Sequence, residues 1–72
     1  MNSTEQTITK WVFECLYDGM ARSYKSRGAA LRAAQLHGKS VAAKDNSMSV
    51  DVWVYEIRWN PYKKTKIAEY QY

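Results

Sequence analysis

The sequence predicts an α+β domain: an antiparallel sheet of three to four strands with one helix packed on one face, in the order β-β-α-β-β. Three observations carry that expectation. Residues 10–17 alternate between two sides and run straight into Asp18-Gly19. Residues 26–37 form a Ser-led, Ala-rich block, and residues 50–59 alternate again with β-branched and aromatic side chains. Period two marks a strand with two distinct faces, and a 3.6-residue period marks a helix. Strands before and after a single helix bury their apolar faces by taking that helix across the sheet.

Each element has its own signal. Met1 to Ile8 is polar and reads as a flexible arm ending at residue 9, with one domain over residues 10–72. From Lys10, the residues Trp11, Phe13, Cys15 and Tyr17 fall on one side, and Val12, Glu14, Leu16 and Asp18 on the other. Asp18-Gly19 suits a two-residue type I′ turn, so a weaker returning strand is expected over Met20 to Lys25. Ser26 is a candidate N-cap, because its hydroxyl can accept from a free N–H of the first turn. Ala29, Ala30, Leu31, Ala33, Ala34 and Leu36 then make a broad helical face, with Gly28, Arg32 and Gln35 as a polar stripe opposite. Gly38 suits the position just past a helix end. For Ser40 to Ala43 two readings stay open, a helix extension or a short strand, and Asp45-Asn46-Ser47 reads as a turn.

The surest strand is Val50 to Trp59, broken by Asn60-Pro61. Tyr62-Lys63-Lys64 is expected at a hairpin tip, and Lys66 to Tyr72 as the last strand, with Ala68, Tyr70 and Tyr72 on one side. For the core, the expectation is that Trp11, Phe13 and Tyr17 join Trp53, Tyr55, Ile57 and Trp59 beneath the helix, since so many rings exposed together invite aggregation. The competing arrangement buries the valines and Leu16 and leaves the rings as a stacking platform. A short Ala-rich helix cannot cover every ring, so Trp59 or Trp53 should be partly exposed, with Tyr62 nearby.

Composition narrows the function. Seventy-two residues make one small domain with a thin core. Cys15 is the single cysteine and His37 the single histidine, so the sequence offers no intrachain disulfide and no expected metal or cofactor site. Cys15 reads as a small core residue and His37 as a helix-end residue. An enzyme is not expected, because no constellation of catalytic side chains stands out. The N-terminus lacks an apolar signal core, and no apolar run approaches the roughly 18–20 residues a membrane span needs. A cytoplasmic protein, monomeric or weakly homodimeric, is the expectation.

Charge is the strongest functional signal. The net charge is +4, and all seven acids lie outside Met20 to Lys44, a window that holds Arg22, Lys25, Arg27, Arg32, Lys39 and Lys44. One sign over so long a run makes a local positive field. Lys25-Ser26-Arg27-Gly28 joins cations, a hydroxyl and the free N–H groups of a first helical turn, a combination suited to a phosphate or carboxylate. Tyr62, Lys63, Lys64 and Lys66 mix a ring with cations, as single-stranded nucleic-acid binders do.

The layout Trp11-x-Phe13…Asp18-Gly19…Ser26-x-x-Ala29-Ala30-Leu31-x-Ala33-Ala34, over roughly residues 10–37, resembles that of many short phage and mobile-element proteins. Small anti-CRISPR proteins and phage inhibitors of host RNA polymerase are similar in size and plan. The resemblance implies an accessory protein that docks on a host protein or protein–nucleic-acid complex and inhibits it; it carries over no functional residue. The basic charge departs from the acidic, DNA-mimicking members. The leading expectation is therefore a non-enzymatic module that meets an anionic partner surface through Arg22, Lys25, Arg27 and Arg32, with Trp59, Tyr62, Lys63 and Lys64 beside them. The second is direct DNA or RNA binding by the same cations and rings.

Overall fold

A computed structural model describes residues 9–45 and 49–72 of the chain. Strand β1 (Thr9–Cys15), strand β2 (Ala21–Tyr24), helix α1 (Arg27–Lys44), strand β3 (Asp51–Arg58) and strand β4 (Lys63–Gln71) follow in that order. The strands form one antiparallel sheet, β2-β1-β3-β4, and α1 lies across one face. The fold is α+β, as the patterning predicts. Among the described residues no helix is long and apolar enough to cross a membrane. The expected arm lies outside the described residues up to position 8, and Thr9 already belongs to β1.

The loop from β1 to β2 differs from the expected two-residue turn. Cys15 N–H donates to Met20 O at 2.8 Å, so four residues, Leu16 to Gly19, sit inside the closing bond. Only Gly19 takes a positive φ, 74°, whereas a type I′ turn needs it at both central residues. Asp18 supplies the reason: its Oδ1 accepts from Met20 N–H at 3.0 Å and holds a local turn of its own. Tyr17 is consequently in the loop and exposed, not in the strand.

Helix α1 starts as its sequence requires. Ser26 is extended, and its Oγ accepts from Ala29 N–H at 3.1 Å. The helix does not stop at Gly38 but runs to Lys44, closed by Asp45 N–H donating to Val41 O at 3.1 Å. Gly38 is buried and serves close approach: a Cβ there would lie 2.5 Å from the Tyr72 ring and 3.0 Å from Val52 Cγ2. Ala30, Ala34 and Gly38, four residues apart, form the buried row. Leu36 points away from the sheet, and Gln35 reaches it instead, donating to the Tyr70 hydroxyl at 3.1 Å. Residues 46–48 of the expected turn lie outside the described residues.

This small-residue row decides which sheet face is core. Phe13, Cys15, Val50, Val52 and Val54 are buried with Ala30 and Ala34. Trp11, Tyr24, Ala68, Tyr70 and Tyr72 pack around them. Trp53, Tyr55 and Ile57 lie on the opposite, open face, which corrects the expectation that they sit beneath the helix. A helix brought in on alanine and glycine sits close over the valines and Phe13, with Trp11 half-buried beside them. Strand β4 bears a bulge: Val54 faces Ala68 but Tyr55 faces Lys66, with Ile67 as the extra residue. The bulge reverses side-chain parity along β4, so Ala68 and Tyr70 cover the core while Lys66 and Lys64 cross to the open face.

Candidate functional site

The open face is built by register. Glu14 faces Trp53, Val12 faces Tyr55 and Lys10 faces Ile57 across β1 and β3. On the other flank Trp53 faces Glu69, Tyr55 faces Lys66 and Ile57 faces Lys64. Directly opposed residues share a face, so these nine side chains form one surface. Its middle row is Trp53, Tyr55 and Ile57, all half-buried.

Lysines lie over the rings. Lys66 Nζ sits 4.1 Å from the Trp53 ring centroid, and Lys64 Nζ sits 4.2 Å from that of Tyr55. Their aliphatic stems shield apolar surface while the ammonium groups stay wet. Each also has an acid: Lys64 Nζ lies 3.4 Å from Glu14 Oε2, and Lys66 Nζ lies 3.1 Å from Glu69 Oε1. The Trp53 indole N–H is buried with no acceptor among the described residues. Such a donor costs about 1–3 kcal/mol, and the Trp11 indole N–H, on the packed face, carries the same cost.

The sheet also has a basic end, where Thr9 faces Arg58 and Arg58 faces Lys63. The β3–β4 connection, Trp59 to Tyr62, closes it, with Asn60 at φ 75°. Trp59 and Tyr62 are exposed and meet edge to face, ring centroids 6.0 Å apart. The expectation of an exposed Trp59 with Tyr62 beside it holds. Lys63 and Lys64 are not at the hairpin tip but are the first two residues of β4. Because Tyr24 pairs with Trp11, Lys25 and Arg27 flank the Ser26 cap at this same end, on the far edge of the sheet. At the opposite end lie Asp18, Asp51 and, through its contact with Tyr17, Asp45.

The candidate residues thus divide. Trp59, Tyr62, Lys63 and Lys64 form one hairpin, and Lys25 and Arg27 share its end of the sheet. Arg22 stands apart: it opposes Phe13, on the helix side of edge strand β2. Arg32 is exposed further along α1. Among the described residues Arg22, Lys25, Arg27, Arg32 and Lys63 have no ion-pair partner. The acid-free window is therefore two things in space, a helix start at the basic end and scattered cations elsewhere.

The pattern puts Trp53 and Tyr55 in the core and names Lys66 as a candidate cation without its place over the Trp53 ring. The readable signal was the row Ala30, Ala34, Gly38, whose small size favours the valine face as its partner. The pattern also keeps Cys15 and His37 apart. In the fold His37 Nε2 lies 2.8 Å from Asp18 Oδ2, and its ring lies 5.5 Å from that of Phe13, beside Cys15. Burial pushes the Cys15 thiol above its ordinary pKa, while N–H groups of Asp18 and Tyr17 pull the other way. A thiol so held is a poor nucleophile at neutral pH. The Met20 N–H, more than the contacts with Cys15 and His37, holds the Asp18 carboxyl below its usual range.

Comparisons with family models, with curated proteins and with solved structures return no match. What the fold defines is a class: a four-stranded antiparallel sheet with one face packed and one face open.

Proposed function

We propose that the protein is a non-enzymatic binding module that takes single-stranded nucleic acid on the open face of its sheet. The observation that carries this reading is the stacking of Lys64 and Lys66 over Tyr55 and Trp53 on the sheet face that the helix leaves uncovered. On binding, the lysines swing from ring to phosphate and bases take their place on the rings. The exchange favours the complex: an exposed cation–π contact is worth about 0.5–1 kcal/mol, and a base stacked on an aromatic side chain about 1–3 kcal/mol. Lys10 on the same face, and Lys63, Trp59 and Tyr62 at the basic end, extend the track along the strand direction. This promotes direct binding above docking on a host protein, because the rings lie outside the core. It remains compatible with an accessory role in a phage or mobile element acting on host nucleoprotein.

The test is fluorescence anisotropy with labelled oligothymidylate and a duplex of equal length. Single strands should bind more tightly at low salt. With about four phosphates neutralised, the log–log salt slope should be about −3. Lys64→Glu with Lys66→Glu should abolish binding. If no single-stranded probe binds at low salt, the proposal fails; recovery of a protein partner from nuclease-treated lysate would then install the docking reading.

A further inference from the structure

Cys15, Asp18 and His37 come from three different pieces of the chain, yet each places a donor atom within 4.8 Å of the other two. Strand β1 delivers Cys15 as its last residue, the loop folds Asp18 back over it, and α1 lays His37 alongside. The loop is tightly held. Gly19 N–H donates to Cys15 O at 2.8 Å, and Gly19 takes the positive φ that lets the chain curl. That curl brings the Asp18 carboxylate back beside the Cys15 sulfur. Cysteine ligates metals as the thiolate, and a bound dication itself displaces the thiol proton. The Asp18 carboxylate is oriented too: Oδ1 accepts from Met20 N–H, leaving Oδ2 beside His37 Nε2. Ligands fixed by outer hydrogen bonds in this way are a hallmark of metal sites.

We propose that Cys15 Sγ, Asp18 Oδ2 and His37 Nε2 form a binding site for a zinc-class divalent cation, tetrahedral, with water in the fourth position.

The distances fit. Zinc bonds of about 2.3 Å to sulfur and 2.0–2.2 Å to nitrogen and oxygen put tetrahedral ligand atoms about 3.3–3.6 Å apart. The His37–Asp18 pair, at 2.8 Å, must open by about half an ångström, and the sulfur must close by about 1.2 Å at most. The ligand set selects the ion. Calcium and magnesium take oxygen ligands, whereas one thiolate, one imidazole and one carboxylate suit zinc. Thiolate and carboxylate together balance the dication, and the thiol proton leaves to solvent. The side chains of His37 and Asp18 are 19% and 34% exposed, so the ion enters between them while the sulfur forms the buried floor. The bound ion would join β1, its loop and α1, a staple of the kind small domains use.

The test titrates the full-length protein with Co²⁺ alone, then displaces it with Zn²⁺. One equivalent should bring up a thiolate-to-cobalt charge-transfer band and the visible bands of tetrahedral cobalt. Free Zn²⁺ at 100 times its dissociation constant should raise the folding constant about 100-fold, reversed by chelator. Cys15→Ser and His37→Gln should each abolish the band. Because Cys15 is a core residue, His37→Gln is the decisive variant, and its circular dichroism should stay native. No charge-transfer band in the wild-type protein at excess Co²⁺ overturns the proposal, as does a band that survives His37→Gln unchanged.

Discussion

Replacing Gly38 with alanine measures how closely helix and sheet approach. The added Cβ would lie 2.5 and 2.7 Å from two Tyr72 ring carbons and 3.0 Å from Val52 Cγ2. Carbon atoms rest at about 3.5–4.0 Å, so the neighbours must yield by about 1 Å. Val52 is fully buried and paired on both sides, with Cys15 and with Tyr70. Tyr72 is tied to Val50 by two reciprocal backbone hydrogen bonds of 2.9 Å, so its ring must rotate while its backbone stays. Two effects then compete. Alanine gains about 0.8–1 kcal/mol over glycine in a helix, and overpacking costs about 1–3 kcal/mol. The net expectation is a loss of about 1 kcal/mol, or roughly 4–8 °C in the thermal midpoint of a domain this size. Gly28 provides the internal standard, since a Cβ there meets nothing within 4 Å. Gly28→Ala should therefore stabilise by about 0.5 kcal/mol, the propensity gain reduced by its place in the first turn. Thermal and urea unfolding followed by circular dichroism read both variants. Adding Tyr72→Ala to Gly38→Ala should remove most of the alanine's cost, a coupling visible in a double-mutant cycle. If Gly38→Ala stabilises as much as Gly28→Ala, helix and sheet do not touch there, and the account of the valine core falls with them.

Three further outcomes are expected. Ser26→Ala removes the acceptor for Ala29 N–H and should cost about 1 kcal/mol in urea unfolding, with Ser26→Asp restoring it. Arg27→Glu puts an anion in a first turn that has no acid, and should raise the thermal midpoint by the equivalent of about 0.3–1 kcal/mol while weakening oligonucleotide binding. Unchanged binding would mean that the cations at the helix start are only a solvated face. Tyr62→Ala, on an exposed ring, should leave the unfolding curve in place and weaken single-strand binding by roughly 5- to 150-fold, the range of one lost base stack.

Much of the architecture was legible because it rests on neighbours in the chain. Alternation over residues 10–15 and 51–58, the Ser26 cap and the Asn60-Pro61 break act within a few residues, and each appears where the sequence places it. The basic end was half legible: its residues were named, but their meeting was not, because it follows from strand register. The bulge at Ile67 left no mark in the sequence, and without it Lys66 and Lys64 would not share a face with Trp53 and Tyr55. Gly38 was misread because glycine serves two purposes, ending a helix and admitting a close neighbour. Only Tyr72 and Val52, far away in sequence or in another element, show which one applies.

By itself the sequence determined the order of elements, the α+β class, the acid-free window from Met20 to Lys44 and the single thiol. Tertiary structure alone decided which sheet face is core, and with it which rings stay outside the core. An alternating strand presents two faces that local pattern cannot rank when one bears valines and the other aromatics. The rank is set by how near the helix can come, and the small side chains of Ala30, Ala34 and Gly38 bring it close over the valines and Phe13. The meeting of Cys15, Asp18 and His37 has the same origin: a strand end, a loop and a helix side come together only once the helix has docked.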